Sequence, residues 1–420
     1  MILTNARSSS TQVGLHGAAQ VRLMERKPQL GLVLAAGALI ISAALGIRQT
    51  FGLFMSPIGA AHVVSLPLLA FAVALQNLMW GVAQPFAGAL ADRYRPAVVV
   101  AAGAVLYGVG LAGVALHPGV LSVLLGFGVL VGLGQSGMTF AVVISAVSRA
   151  ASDTQRATAV ALAAAGGSLG QVALVPVAQS VIAFAGYQRA LVVLALIVLA
   201  AAPLGFVLSG RRSVGDAAVP SSASWPAIWR ALRDPNYLFV TAGFFACGFQ
   251  LAFITVHLPT YLSLCHVGAG IGAASLATIG FFNIIGSFGF GKLMDRFAPQ
   301  MLLAVLYAIR ATAALAFVAV TPTAFTTLAF AVVMGLTWLG TVPLTNGVVA
   351  RLFGLGNLGA LFGVAFLSHQ AGAFLGAWLG GVTLQVTGSY QTLWIATIVV
   401  GYVAAGLNLP IRYRVDPVPA

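Results

Sequence analysis

Two stretches decide the fold: Gly88-Ala89-Leu90-Ala91-Asp92-Arg93 and Gly291-Lys292-Leu293-Met294-Asp295-Arg296. Both read GxLxDR. They stand 203 positions apart in a chain of 420 residues, and each lies between two long apolar segments. A tight, charged turn that recurs at close to half the chain length predicts two similar halves of six membrane helices, related by an axis along the membrane normal. That is the plan of a transporter.

Composition sets the class independently. Sixty per cent of the residues are apolar and only 6% are charged, with a mean hydropathy of +1.02, which excludes a soluble chain of this length. The net charge of +13 would suggest nucleic acid in a soluble protein, but its distribution has a simpler cause. From a cytoplasmic N-terminus, Arg48 and Arg310 fall within helices and Arg189 alone falls outside, so 17 of the 20 Lys and Arg are cytoplasmic. All seven carboxylates are cytoplasmic too. The positive-inside rule therefore accounts for the basicity, and no nucleic-acid role is expected. The expected location is the cell (inner) membrane, multi-pass, with both termini cytoplasmic.

Hydropathy predicts an all-α membrane protein with twelve transmembrane helices in two pseudo-symmetric bundles of six. A polar tail at 1–28, without the apolar core of a signal peptide, precedes a first bundle over 29–209. A cytoplasmic linker at 210–236 joins it to a second bundle over 237–410, and a short tail occupies 411–420. A surface helix around 225–233 fits the linker. Cys247 and Cys265 lie 18 positions apart on one helix and its outer end, about 27 Å at 1.5 Å per residue, which excludes a disulfide between them. Neither has metal-ligand company, so both read as ordinary apolar packing residues.

GxLxDR between helices 2 and 3, echoed between helices 8 and 9, resembles the loop signature of the major facilitator superfamily. That resemblance implies two bundles rocking about a central site, with Gly88, Asp92, Arg93, Gly291, Asp295 and Arg296 acting in conformational gating. It also implies that helices 1, 4, 7 and 10 line the cavity while 3, 6, 9 and 12 are peripheral. Helix 5 opens with Arg156, continues through the small-residue run Ala163-Ala164-Ala165-Gly166-Gly167-Ser168, and ends at Gly186-Tyr187-Gln188-Arg189-Ala190. With His257-Leu258-Pro259-Thr260-Tyr261 in helix 7, this is similar to the monocarboxylate and oxalate/formate-type branch. The branch usually carries an Arg on helix 8 that pairs with the substrate carboxylate. Here the matching stretch, Asn283-Ile284-Ile285-Gly286-Ser287, offers Ser287 instead.

An arginine in the membrane interior costs about 2.5–3.5 kcal/mol on insertion scales, which makes it a functional-site residue by default. Arg48, on a cavity helix, is the substrate-contacting candidate; Arg310, on a peripheral helix, reads as structural. The predicted membrane region contains no Asp or Glu, so a cavity Arg must find polar groups, water or an anion. Guanidinium matches carboxylate bidentately. The expected substrate is therefore a small organic anion, a monocarboxylate, moved by symport or antiport, and not a cationic drug. Gln76, Gln135, Gln250, Asn283 and Asn346 supply neutral hydrogen bonds to the same cavity, with Trp80, Phe281, Phe282 and Trp338 as apolar walls. His369 is a candidate for substrate or proton binding and His257 a second proton candidate. No cofactor, metal or catalytic motif is expected, and the protein is expected to be monomeric and not an enzyme. An exporter of a hydrophobic compound is the alternative if Arg48 is structural, and a transporter-fold sensor a more distant one.

Overall fold

The computed structural model describes residues 30–62, 64–152, 155–208, 225–354 and 357–413. The tail at 1–28, linker residues 209–224 and the chain from 414 onward lie outside the described residues.

Twelve helices among the described residues are long and apolar enough to span a bilayer. They are α1 Leu30–Ala60, α2 Leu66–Ala91, α3 Pro96–Leu116, α4 Val120–Ala150, α5 Thr158–Ala185, α6 Tyr187–Leu208, α7 Pro235–Leu264, α8 Ala269–Leu293, α9 Pro299–Val318, α10 Ala324–Phe353, α11 Leu358–Thr387 and α12 Gln391–Asn408. The expected surface helix is present as Trp225–Ala231, with Trp229 exposed. Proline opens α2, α3, α7 and α9 within the first two positions, where its missing N–H costs no helical hydrogen bond.

The two halves repeat each other in packing. α1 lies along α5 as α7 lies along α11, α2 packs on α4 as α8 on α10, and α3 on α6 as α9 on α12. The offset of 203 that separates the GxLxDR copies holds atom by atom in places. Gly132 lets α4 reach the Gln76 carbonyl, 2.7 Å from where a Cβ would stand, and Gly335 does the same at the Ile279 carbonyl, 2.8 Å away. The Tyr107 hydroxyl donates to the Ala44 carbonyl at 3.1 Å, while Arg310, 203 positions on, donates to Cys247 at the position repeating Ala44. With no hydrophobic drive between helices in lipid, such small-residue contacts carry association.

The bundles meet along α2–α11, α5–α8 and the second half of α1 against α7. On the face opposite the GxLxDR turns, here the far side, Phe54, Met55 and Ile58 of α1 and Val256 and Leu258 of α7 are buried. Phe71 of α2 packs edge-on to Phe374 and Trp378 of α11, both at 5.8 Å. Above this seal is a cavity of about 510 Å³ lined by residues that include Met55, His62 and Thr260.

The GxLxDR copies differ from the expected turn. Residues 88–93 are the last helical turn of the α2 segment, and the chain turns only at Tyr94. In the second copy the helix ends at Leu293 and Asp295 and Arg296 form the turn. The side chain of Asp92 is outside the described residues; Arg93 lies 5.6 Å from the Tyr94 ring centre.

Candidate functional site

Three of the four helices expected to line the cavity are broken at mid-membrane. α1 stops at Arg48 and resumes at Phe51. The Thr50 hydroxyl donates to the Ile47 carbonyl at 2.7 Å and competes with the helical ladder there. α4 carries two π-helical stretches, Val123–Leu130 and Phe140–Ile144, on either side of the α-helical segment Val131–Gly137. α10 stops at Thr337 and resumes at Thr341. Breaks and π-segments at this depth free backbone polar groups that side chains must satisfy, and in transporters such breaks cluster where substrate binds.

Arg48 stands at the α1 break. Its guanidinium donates to the side-chain oxygen of Asn77 on α2 and, at 3.4 Å, to Gln49 Oε1. The charged group also lies 5.4 Å from the Trp80 ring centre, a cation–π contact. Arg48 is half-buried, whereas Asn77 and Trp80 are buried. Every acceptor it meets is neutral, so a full positive charge sits at the bundle interface without a counter-ion among them.

From Arg48 two hydrogen-bonded lines run into the second bundle. Gln49 Nε2 donates to Gln171 Oε1 on α5 at 2.9 Å, and Gln171 donates onward to the Leu276 carbonyl of α8 at 2.6 Å. On the other side Gln370 of α11 donates to the Asn77 carbonyl at 3.1 Å and accepts from His369 Nδ1 at 3.0 Å. The His369 ring stacks parallel to Phe366 and is buried to 7% exposure. Asn283 completes the belt: its Nδ2 donates to Ser168 on α5 at 2.7 Å. Its Oδ1 accepts both the Leu339 backbone N–H at the α10 break, 2.9 Å, and the Ser287 hydroxyl at 3.0 Å. Where the resembling branch carries an Arg on this helix, the local network is neutral.

The remaining candidates stand elsewhere. Gln76 donates to Gln135 at 3.0 Å between α2 and α4, and this leaves Gln76 Oε1 and Gln135 Nε2 buried without partners. One turn along, Trp80 donates its indole N–H to Thr139 at 2.9 Å, the residue that opens the second π-stretch. Gln250 points into the second bundle, donating to the Thr397 carbonyl at 2.9 Å and accepting from Arg310. Asn346 is half-buried and donates to the Val342 carbonyl one turn back. His257 is satisfied at both nitrogens. Nε2 faces the Ala377 carbonyl at 2.7 Å and must donate, so Nδ1 accepts from the Tyr390 hydroxyl at 3.0 Å. Of the expected apolar walls, Trp80 and Trp338 are buried, whereas Phe281 is 52% exposed.

Arg310 has a different setting from Arg48. It is 1% exposed and donates to the carbonyls of Thr337 and Trp338, the free C-terminal end of the first half of α10. A cation at a helix C-terminus satisfies both the orphan carbonyls and the helix dipole. Arg310 also reaches Cys247 Sγ and Gln250 Oε1, both at 3.4 Å. Cys247 thus sits in a polar cluster, also 3.2 Å from the Thr341 hydroxyl, and not in plain apolar packing; it and Cys265 are free thiols. Arg310 and Asn283 hold the α10 break from its two ends. Replacing Arg310 with Met is expected to leave these carbonyls unpaired and to cost about 2–4 kcal/mol of stability, read as a lowered melting temperature in detergent.

Gln49, Gln171 and Gln370 belong to the Arg48 belt although the sequence does not single them out as site residues. The one signal available was adjacency: Gln49 follows Arg48, and Gln370 follows His369.

A twelve-helix bundle pair with broken central helices and a charged interface defines a membrane transporter. The family model described as Major Facilitator Superfamily matches residues 30–377, and the chain belongs to that family. It is 27% identical over 374 residues to the uncharacterized MFS-type transporter YcxA of Bacillus subtilis, covering 86% of this chain and 90% of that protein. It is 27% identical over 382 residues to mouse monocarboxylate transporter 11, covering 87% and 83%. Among solved structures, a bacterial homolog of the human lysosomal transporter Spinster, inward-facing and occupied, aligns with a TM-score of 0.72 at 15% identity, covering 91% of this chain and 97% of that one.

Proposed function

We propose that this protein is a secondary transporter that moves a small organic anion, a monocarboxylate, across the cell (inner) membrane by alternating access. It works as a monomer with both termini in the cytoplasm. The observation that carries the reading is the setting of Arg48: a guanidinium at the bundle interface whose hydrogen-bond acceptors among the described residues are two neutral amide oxygens, with an indole face beside it. A carboxylate supplies the charge this group lacks and fits its planar fork. Similarity to mouse monocarboxylate transporter 11 supports the substrate class.

In this reading Arg48 binds the carboxylate, and Asn77 and Gln49 orient it. Trp80 and Asn283 flank the apolar body, and the unpartnered amide atoms of Gln76 and Gln135 are available to a second polar group or to water. Gln250, Asn346 and His257 shape the second bundle and act on substrate only through it. His369, joined to Asn77 through Gln370, carries the coupling proton in a membrane region without carboxylates. The GxLxDR ends, with Gly88, Asp92, Arg93, Gly291, Asp295 and Arg296, gate the cytoplasmic side.

Proteoliposomes test this directly. Uptake of radiolabelled monocarboxylates is measured under an imposed pH gradient and, separately, with unlabelled anion preloaded. The expected result is accumulation of at least one monocarboxylate under the gradient. His369→Gln is expected to lose gradient-driven accumulation by about tenfold or more while keeping exchange against preloaded anion, the signature of a proton site as opposed to a structural one. Gradient-driven uptake that is equal in wild type and His369→Gln removes the histidine from coupling.

A further inference from the structure

Gln171 of α5 and Gln370 of α11 occupy matching places on two of the lines where the bundles meet, α5–α8 and α2–α11. Gln171 Nε2 donates to the Leu276 carbonyl at 2.6 Å, and its stem lies on Gly280, one turn along α8, where a Cβ would stand 2.9 Å from it. Gln370 Nε2 donates to the Asn77 carbonyl at 3.1 Å, and its stem lies on Gly81, one turn along α2, where a Cβ would stand 2.8 Å from it. All three members of the motif repeat with a single offset: 171 to 370, 77 to 276 and 81 to 280 are each 199 positions. That is one helical turn short of the 203 relating the GxLxDR copies. The same clasp is therefore made twice, once from each bundle into the other.

Both side chains are at least 99% buried, and both amide oxygens are engaged, Gln171 by Gln49 and Gln370 by His369. Gln49 and Asn77 are also the two residues that accept from Arg48. We infer that Gln171 and Gln370 are positioning residues, a pair of amide clasps that hold the bundles closed on the far side and set Arg48 through Gln49 and Asn77. Rocking the bundles apart on the far side draws each amide from a carbonyl of the opposite bundle. The two buried amide N–H groups then lose their partners together, while the carbonyls keep only their helical bonds, and this makes the closed state a discrete one.

The test uses the full-length protein in lipid nanodiscs with no substrate present, so its outcome does not depend on the anion reading. Spin labels are placed at Leu121 of α4 and Val386 of α11, two exposed far-side positions, in a Cys265→Ser background, and their distance distribution is measured by pulsed electron paramagnetic resonance. Gln171→Leu and Gln370→Leu keep the bulk of the side chain and remove the donor. Each is expected to raise the ratio of far-open to far-closed molecules about threefold, and the double variant about eightfold, the yield of an average interhelical hydrogen bond in a membrane. Gly81→Ala and Gly280→Ala, which crowd the glutamine side chains while keeping both amide groups in the protein, are expected to shift the ratio the same way and serve if the leucine variants fold poorly. Distributions that match wild type in the double leucine variant, or in both alanine variants, overturn the inference.

Discussion

Gly248→Ala is expected to abolish the folded protein. A Cβ at Gly248 of α7 would stand 1.8 Å from the carbonyl oxygen of His369 on α11, 2.7 Å from its carbonyl carbon and 3.0 Å from the Ala373 nitrogen. These are backbone atoms of a buried helix and no rotamer relieves the clash, so the two helices must separate along their length. Overpacking a core costs about 1–3 kcal/mol where side chains can adapt. Here the α7–α11 contact anchors the second bundle, and about 3 kcal/mol or more is expected, enough to exhaust a marginal margin of stability. The measurement is the monodisperse yield and melting temperature in detergent. Gly289→Ala is the control: a Cβ there meets nothing within 4 Å, and wild-type yield is expected.

Arg48→Ala is expected to weaken monocarboxylate binding about 100-fold while leaving the melting temperature within a few degrees of wild type. The loss follows from removing a charged, bidentate partner from a largely desolvated site, worth about 2–5 kcal/mol in comparable interfaces. Folding is expected to survive because the neighbours keep other bonds: Asn77 Nδ2 still donates to the Val73 carbonyl at 2.8 Å, and Gln49 still reaches Gln171. Arg48→Lys keeps the charge but loses the fork and the flat face over Trp80, and is expected to fall between the two. Binding is read by scintillation proximity or by the half-saturating concentration for uptake. A variant that binds as wild type does, or that loses melting temperature as much as Arg310→Met, would make Arg48 a structural residue.

Much of the fold was legible because the solvent imposes it. A bilayer admits only helices with satisfied backbones in a chain of this composition, and the spacing of apolar runs then fixes their number. The duplicated GxLxDR supplied the two-fold plan, and the structure extends its offset of 203 to Gly132 and Gly335 and to Tyr107 and Arg310. The exact turn was not legible: the first copy remains helical through Arg93, because nothing between Gly88 and Arg93 breaks a helix and Tyr94 is the first residue to leave it.

The candidate site was legible in its residue types and only partly in its geometry. Arg48 and Arg310 announce themselves as charges in apolar helices, and the peripheral helix of Arg310 pointed to a structural place, which the carbonyls of Thr337 and Trp338 supply. Which amides face Arg48 could not be read, because α2 and α7 are apolar nearly all round and carry no amphipathic stripe to phase them. Gln76 and Asn77 are adjacent in sequence, yet Asn77 meets Arg48 and Gln76 turns to Gln135. Gln250, on an expected cavity helix, turns away to Arg310 and Thr397 for the same reason. The breaks in α1, α4 and α10 were also invisible, since no proline stands at any of them: Thr50 acts through a bond to the Ile47 carbonyl that threonines in intact helices also make, and Thr139 and the Trp338–Gly340 link are held by Trp80, Arg310 and Asn283 on neighbouring helices.

The measurement that tests the central claim most directly compares a monocarboxylate with its own primary amide, matched in size and shape, for uptake into proteoliposomes containing the wild-type protein. An uncompensated Arg48 at the bundle interface predicts saturable uptake of the carboxylate and none of the amide above protein-free vesicles. Equal transport of the two, or transport of the amide alone, would contradict an anion site at Arg48.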